Sequence, residues 1–470
     1  MTDAKLKKQV LRVALFALLV FMALGCYLIY LSSYEADDLA QNPMNPREAA
    51  AARSDIIRGS ILDRNGNILV ETKSDGTRSY AMGEVMAAVT GYSGSEIGSA
   101  GIEGHENRAL LGLTEDMGRM GPVAQLLQSD RGNDVQLTVD ARIQQAAYEG
   151  LGGSRGAVVV MDAHTGAILA MASTPSYDPN NIEATWTSLS KQVDGALLNR
   201  AVQGMYPPGS TIKPMIADAA LTEGVATERE IINCTGVLDV GNGFTIREYN
   251  NEAHGRVNLR QALVESCNIT FGTLGMRLGD DRLARTYKRF GFSEGFGGDI
   301  SMEPAHLPDF GHLTKGDQAQ ASIGQGTLLV TPLNMALLAD AYANGGKIMK
   351  PYLVQEVLSQ SGTVLSKTTP EVWKTATTPD IAATIDSYME EAVQKGTGRS
   401  ASVKGIRVTG KTGTAETGHG TDHAWFIGSA QLKKQKIVFA IVVENAGSGG
   451  RYAAPIARHI IQTMLESDAH

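Results

Sequence analysis

The feature that most constrains this chain is a long apolar segment close to its N-terminus. VALFALLVFMALGCYLIYL, residues 13–31, contains 19 consecutive residues without a charge. At about 1.5 Å per residue, a helix of that length reaches roughly 28 Å, which is close to the thickness of a bilayer's hydrocarbon core. We therefore expect a transmembrane helix at residues 13–32, preceded by a short tail at residues 1–12.

The charges that flank this segment predict its orientation. Four basic residues precede it and three acidic residues follow it: Lys5, Lys7, Lys8, Arg12, Glu35, Asp37 and Asp38. Because basic flanks stay on the cytoplasmic side of a span, the N-terminus is expected in the cytoplasm and the chain after Ser32 outside the cell membrane. A cleaved signal peptide, or a lipoprotein signal ending at Cys26, would explain the same segment. Apolar residues continue from Cys26 to Leu31, which favours a permanent anchor.

Composition and local motifs exclude several classes of function. The net charge is −8 and there is no long basic run, so nucleic acid is not an expected partner. Neither HExxH nor paired CxxC occurs, and neither a metal site nor a cofactor is expected. Of three cysteines, only Cys234 and Cys267 follow the membrane segment. One disulfide between them stays open, but hydrophobic burial must stabilise the fold.

The chain after the membrane segment divides into two regions that differ in composition and in the pattern of apolar residues. Residues 33–133 are rich in glycine, with a hairpin pattern at 57–77 around Asn65 and Gly66, and predict a small, irregular membrane-proximal domain. From 134 to 470, longer apolar runs alternate with helical patterns. The second region is expected to be the functional domain.

The second region begins and ends with strands. Its first part predicts strands at 135–140 and 156–162 with a helix at 141–151 between them. Its last part predicts a helix at 379–395, a strand at 407–411, two strands around the turn at 433–436, and a closing helix at 455–465. Strands at both ends and helices between predict an α/β domain whose sheet joins its first and last strands.

A serine and a lysine stand three positions apart in YPPGSTIKPM, residues 206–215. Serine is a weak nucleophile that needs an adjacent base, and lysine can be that base when burial lowers its pKa. Positions i and i+3 share one helix face, so Ser210 and Lys213 are a candidate nucleophile and base. Ser188 and Lys191 have the same spacing, but no Pro-Pro-Gly turn precedes them.

Two further motifs follow Ser210 along the chain. Ser266 and Asn268 come after a helical stretch, and their hydroxyl and carboxamide can relay a proton and hold a substrate amide. Lys411 precedes Thr412, Gly413 and Thr414 at the end of a predicted strand. A lysine beside hydroxyls suits a carboxylate, and the glycine lets another backbone approach. A peptide laid along the strand edge would fit this pattern.

The order S-x-x-K, S-x-N, K-T-G resembles the penicillin-binding proteins and serine β-lactamases. Five longer segments are similar to class B penicillin-binding proteins in particular: RGSILDRNG from Arg58, VQLTVD with Gln144 after it, GAVVVMDAHTGAILAMAS from Gly156, GQGTLLVTPLNMALLADAYANGG from Gly324, and HAWFIG from His423. The resemblance covers the chain from about Arg58 to its end. The short region before residue 134 resembles the compact members, in which it acts as a pedestal or dimerisation domain.

The resemblance implies a mainly antiparallel sheet flanked by helices and a D,D-transpeptidase that cross-links peptidoglycan. Ser210 would attack the carbonyl between the two terminal D-alanines of a stem peptide, with Lys213 as its base. Ser266 would pass a proton to the leaving D-alanine and Asn268 would hold the peptide. The substrate's carboxylate would be bound by Lys411 and the motif that follows it: Thr412, Gly413 and Thr414.

The resemblance also implies partners. These are stem peptides on lipid-linked or nascent glycan, β-lactam antibiotics that acylate Ser210, and a SEDS-type glycan polymerase in the membrane. Two alternatives stay open: a D,D-carboxypeptidase or β-lactamase-like hydrolase, and a non-enzymatic β-lactam sensor or scaffold. The motifs do not distinguish elongation from division or sporulation, and they leave the acceptor amine and the envelope type open.

Overall fold

The apolar N-terminal segment forms one long helix, α1 (Asp3–Tyr34). It is seen in a computed structural model that describes residues 3–34, 56–113, 130–192, 195–241, 243–249, 252–418 and 420–467. The stretch Lys7–Tyr30 has a mean hydropathy of 2.5 and is not buried. The expected helix is therefore confirmed, and its length and composition are compatible with a single membrane span. It belongs to one compact unit, Met1–Ile56, and residues 57–470 form another.

Short elements make up the described part of the region between α1 and residue 138, in which residues 35–55 and 114–129 lie outside the described part. The elements are β1 (Ile61–Leu62), β2 (Ile68–Thr72), β3 (Arg78–Tyr80), α2 (Ala87–Thr90), β4 (Tyr92–Gly94), β5 (Gly98–Ala100), α3 (Gly101–His105), α4 (Asn107–Leu110) and β6 (Asp134–Leu137). The predicted hairpin is confirmed, because β1 pairs antiparallel with β2. Gly66 in its turn has a φ of 82°, which glycine adopts without steric cost.

The rest of the chain contains the longer helices and strands together with several short ones. The helices are α5 (Ala141–Gly150), α6 (Ile182–Leu189), α7 (Lys213–Thr222), α8 (Leu259–Val264), α9 (Asn268–Arg289), α10 (Lys315–Ser322), α11 (Pro332–Ala343), α12 (Pro379–Gln394), α13 (Gly449–Tyr452) and α14 (Ala454–Ser467). The strands are β7 (Gly156–Asp162), β8 (Ile168–Thr174), β9 (Ile232–Cys234), β10 (Val237–Gly241), β11 (Phe244–Arg247), β12 (Gly255–Val257), β13 (Lys347–Met349), β14 (Val354–Leu358), β15 (Val364–Lys367), β16 (Val372–Thr375), β17 (Arg407–Ala415), β18 (His423–Gln431) and β19 (Lys436–Val443). The three helices predicted at 141–151, 379–395 and 455–465 are confirmed as α5, α12 and α14.

A five-stranded antiparallel sheet in the order β17-β18-β19-β7-β8 is the centre of the functional region. It joins the first long strands of the region to its last ones, as predicted. All the residues of β8, and all but the last of β7, are buried. One hydrophobic cluster joins this sheet to α7 and α11, and a second joins it to α5 and α14. The fold is therefore the expected α/β arrangement of a sheet flanked by helices.

The strand at 135–140 differs from the prediction. We expected it in the sheet of the first and last strands, but β6 lies in a second sheet of order β15-β14-β6-β1-β2-β3. It pairs parallel with β1 and antiparallel with β14. Its residues alternate between half-buried and buried, whereas β7 and β8 are buried continuously. One-sided burial suits a sheet with only one covered face, and continuous burial suits the central sheet.

Candidate active site

Ser210 lies in a short 3₁₀ turn, Gly209–Ile212, directly before α7. Gly209 has a φ of 54°, and a Cβ at this position would lie 2.9 Å from the carbonyl oxygen of Thr414 on β17. Only glycine fits this close approach at a positive φ. The turn therefore places Ser210 against the third motif. Ser188, the other serine with a lysine three positions later, instead donates to the carbonyl oxygen of Thr185 at the exposed end of α6.

Lys213 is fully buried behind the second motif. Its Nζ donates to the carbonyl oxygen of Ser266 at 2.6 Å and to Oδ1 of Asn268 at 2.7 Å, and it lies 3.3 Å from the Ser266 hydroxyl. No hydrogen bond among the described residues joins Lys213 to the hydroxyl of Ser210. Catalytic hydrogen bonds are often long without substrate and tighten in the Michaelis complex.

The second motif occupies the junction between α8 and α9. Ser266 has a φ of 63°, in the left-handed region that a residue with a side chain seldom adopts. Asn268 begins α9 and donates through Nδ2 to the carbonyl oxygen of Arg247 at 2.9 Å. Glu248 accepts hydrogen bonds from the backbone N–H of Asn268 and of Ile269, so both the carboxamide and the helix start are fixed.

The third motif lies on β17, an edge strand of the central sheet. Lys411 is fully buried, and its Nζ donates to the Ser266 hydroxyl at 2.8 Å and to the Thr412 carbonyl oxygen at 2.9 Å. A Cβ at Gly413 would lie within about 3.0 Å of Thr211, Pro208 and Trp425, so no side chain fits. The Ser266 hydroxyl is therefore flanked by two lysines, one from each of the other motifs.

Burial lowers the pKa of both lysines. It lowers the pKa of Lys213 from 10.5 to about 8, although the charge of Glu248 opposes this shift. Burial also lowers the pKa of Lys411 well below its ordinary value, and the charge of Lys213 lowers it further. A lysine with a lowered pKa holds a neutral amine that can accept a proton near neutral pH. The site can therefore supply a base next to a serine.

An open cavity of about 580 Å³ connects the three motifs. Its lining includes Ser210, Ser266, Asn268, Thr412 and Thr414. The structure thus brings residues of all three motifs to one place, and the two buried lysines contact its lining residue Ser266. The arrangement can perform acyl transfer, because it combines a serine, a base and a relay hydroxyl around one space.

A family model for the penicillin binding protein transpeptidase domain matches residues 156–462, and a model for the penicillin binding protein A dimerisation domain matches residues 58–135. The peptidoglycan D,D-transpeptidase PbpA of Mycolicibacterium smegmatis is 32% identical over 92% of this chain and 94% of its own. The chain belongs to the class B penicillin-binding proteins. The peptidoglycan D,D-transpeptidase MrdA of Acinetobacter baumannii, also 32% identical, matches 78% of this penicillin-binding protein and 58% of its own length.

Solved structures of penicillin-binding proteins have the same fold. The ceftriaxone acyl-enzyme complex of penicillin-binding protein A from Mycobacterium tuberculosis superposes with a TM-score of 0.81 at 32% identity, covering 87% of this chain and 99% of that one. The D,D-transpeptidase domain from Eggerthella lenta gives a TM-score of 0.80 at 33% identity, with 88% and 99% coverage. The fold predicted from the family resemblance is confirmed.

Sequence reasoning missed a carboxylate that supports the turn containing Ser210 in this penicillin-binding protein. Glu444, just after β19, accepts hydrogen bonds from Tyr206, Arg200 and Arg155 at 2.8, 2.8 and 2.9 Å. Burial raises its pKa, but these three donors lower it below the ordinary value overall. Because Tyr206 precedes Ser210 by four residues, the network fixes the entry to the turn. The signal in the sequence is an acid at the end of the wholly apolar strand IVFAIVV.

Beneath Asn268, this penicillin-binding protein has a cluster that could hold a metal ion, which sequence reasoning also missed. Cys234, Glu248, His254 and Cys267 have their ligand atoms within 4.8 Å of one another. Both thiols are free, so the disulfide that the sequence left open is not formed in this structure. Thiolate, imidazole and carboxylate are the donors that zinc takes in proteins. The residues are 14, 6 and 13 positions apart, a spacing that matches no short metal motif.

Proposed function

We propose that this protein is a serine-type peptidoglycan D,D-transpeptidase. The observation that carries the proposal is the Ser266 hydroxyl, which lies between the two buried lysines in the same cavity as Ser210. This arrangement supplies a base for the nucleophile and a relay for a second proton. Relatives at 32% identity are named peptidoglycan D,D-transpeptidases, which supports the same reaction here.

In the proposed acylation, neutral Lys213 takes the proton of Ser210 as the serine attacks the carbonyl between two terminal D-alanines. The backbone N–H groups of Ser210 and Thr414 stabilise the oxyanion. Ser266 then passes its proton to the nitrogen of the departing D-alanine and regains one from the protonated Lys213, which lies 3.3 Å away, so the C–N bond breaks as the ester forms. Asn268 holds the peptide backbone. These roles are supported by the positions of Ser210, Ser266 and Asn268 around the cavity, and by the contacts of Lys213 with the second motif.

The donor peptide is proposed to bind along the free edge of β17 as an added strand. Lys411, Thr412, Gly413 and Thr414 then meet its terminal carboxylate. A carboxylate that approaches Lys411 favours the charged form of that lysine and offsets the effect of burial on its pKa. The amine of a second stem peptide then attacks the ester and restores Ser210. β-Lactams mimic the D-Ala-D-Ala end and acylate the same serine.

The reaction is tested with the full-length protein in detergent, a thioester donor ending in D-alanine, and a D-amino acid as acceptor amine. We expect acyl transfer to the amine to exceed hydrolysis, and penicillin to leave a stable adduct on the Ser210 peptide. Rapid turnover of a chromogenic cephalosporin without a stable adduct would instead identify a hydrolase. A matched reaction without the acceptor measures the hydrolysis background.

We also propose the organisation of the chain in the cell. Residues 1–12 are cytoplasmic, 13–32 span the membrane, 33–133 form a membrane-proximal domain, and 134–470 form the transpeptidase domain outside the membrane. The dimerisation-domain match at 58–135 supports the third assignment, and α1 supports the second. A SEDS-type glycan polymerase is proposed to meet the membrane span and the membrane-proximal domain.

Protease added to intact spheroplasts is expected to digest the transpeptidase domain and to spare an N-terminal epitope tag. We expect the polymerase to co-purify with the full-length protein. We expect this co-purification to be lost when residues 1–34 are replaced by an unrelated single span. A tag that is digested from outside, or a polymerase retained by the replaced span, contradicts the corresponding assignment.

A further inference from the structure

Strand β11 lies along the cavity that contains Ser210. Three of its four residues, Thr245, Ile246 and Arg247, line this cavity. Ile246 is buried, whereas Thr245 and Arg247 are exposed. Because side chains two positions apart point to the same face of a strand, the exposed pair shares the face opposite Ile246. Arg247 is therefore an exposed arginine in the wall of the reaction cavity.

Arg247 is also held next to the second motif. Its carbonyl oxygen accepts a hydrogen bond from Nδ2 of Asn268 at 2.9 Å. The carboxylate of Glu248, the next residue, accepts one from the backbone N–H of Asn268, also at 2.9 Å. Two successive residues thus bind the same asparagine, one at its side chain and one at its backbone. The side chain of Arg247 therefore begins at a fixed position beside the carboxamide that is proposed to hold the donor peptide.

The charges around the cavity distinguish Arg247. Among the described residues it is the only lysine or arginine in the lining, and no hydrogen bond or ion pair to its guanidinium is found there. Besides Glu248, the lining includes four acidic residues: Glu252, Glu265, Glu416 and Asp422. Their charges repel an anionic ligand group from the rest of the lining. A guanidinium has only N–H donors and can bind a carboxylate bidentately, so a carboxylate is the group that Arg247 suits.

The order of the binding groups indicates which part of the substrate meets Arg247. In the proposed donor complex, the terminal carboxylate lies at Lys411, the carbonyl under attack at Ser210, and the preceding backbone at Asn268. The stem peptide therefore continues past Asn268 towards β11. The residue that precedes the two D-alanines is the first one beyond the held backbone, and its side chain is the part of the donor nearest to Arg247.

We propose that Arg247 is a specificity-determining residue, which binds a carboxylate on the side chain of the stem-peptide residue before the two D-alanines. The proposal rests on the proposed transpeptidase function and adds the chemical class of its donor substrate. A donor whose side chain at that position bears a carboxylate is favoured over one whose side chain ends in an amine alone. In a merely structural role, Arg247 would support Asn268 and would affect every donor equally.

The test compares the rates at which two penicillins acylate the full-length protein in detergent. Their side chains are adipyl and hexanoyl, which differ because the first ends in a carboxylate and the second in a methyl group. The side chain of a penicillin stands in for the peptide before the D-alanines, so the ratio of the two rates, adipyl over hexanoyl, reports on a carboxylate at this position. For Arg247→Gln, we expect this ratio to fall about tenfold. This is the low end for a hydrogen bond to a charged group, because Arg247 is exposed.

Arg256→Gln is the matched control, because it removes an exposed arginine of β12 that is not among the described residues lining the cavity. It is expected to change neither rate. An unchanged ratio for Arg247→Gln, with both rates kept or reduced together, overturns the proposal and leaves the transpeptidase function intact. If this variant instead loses a preference for a D-amino acid acceptor over its amide, with the donor ratio unchanged, Arg247 belongs to the acceptor site and the proposal is overturned as well. If the wild-type protein shows no adduct on the Ser210 peptide with either penicillin, the proposed function itself fails and this inference fails with it.

Discussion

Ser210→Ala is expected to abolish the covalent penicillin adduct. The variant is also expected to fail to restore growth to a strain that lacks the wild-type protein. Alanine has no hydroxyl, so no acyl ester can form. Where a nucleophile acts as a unit with its base, its removal costs on the order of 10⁶-fold in rate. The adduct is measured by intact-protein mass spectrometry with peptide mapping, and rescue by growth under depletion of the wild-type copy.

Ser188→Ala is the matched control for this experiment. Ser188 has the same spacing to a lysine, but it donates to Thr185 at the exposed end of α6. We expect this variant to be acylated and to rescue growth like the wild type. Full rescue by Ser210→Ala would leave only a sensor or scaffold role, and an adduct on the Ser188 peptide would refute the assignment of the nucleophile.

The sequence predicted the central sheet and the identity of the motif residues because both depend on local patterns. The apolar runs of β7, β18 and β19 are long enough to identify buried strands without knowledge of their partners. Ser210, Lys213 and Lys411 were selected by the order of three motifs along the chain. The structure adds the contacts of Lys213 and Lys411 with Ser266 and the cavity that Ser210 and Ser266 share. Spacing alone cannot give these, because the motifs are 56 and 145 residues apart.

Other parts of the site depend on tertiary contacts with no local signal. β6 pairs with β1, which precedes it, and with β14, which lies far after it in the chain, so its alternating pattern identified a strand and not its sheet. Ser266 has a left-handed φ, and a serine in a sequence does not indicate that conformation as a glycine would. Glu444 lies 444 − 210 = 234 residues from Ser210 and acts through contacts made only in the folded chain.

Lys213→Arg is expected to slow acylation by about 10² to 10⁴-fold, the usual contribution of a general base. Arginine keeps the positive charge but does not lose its proton in proteins, so the variant has no base at this position. Lys191→Arg is the matched control, because Lys191 has the same spacing to Ser188, and it is expected to leave the rate unchanged. The rates are measured as loss of free protein with time after addition of penicillin G.

The pH dependence of wild-type acylation gives an independent test of Lys213. Burial lowers the pKa of this lysine from 10.5 to about 8, which raises its neutral fraction at pH 7 about 300-fold. Since the neutral amine is the base, the rate should rise about tenfold per pH unit below pH 8 and level off above it. The Lys213→Arg variant should lack this rise. A flat wild-type profile, or a rise that persists in the variant, would contradict Lys213 as the base. The base would then be Lys411, the other buried lysine in contact with the Ser266 hydroxyl.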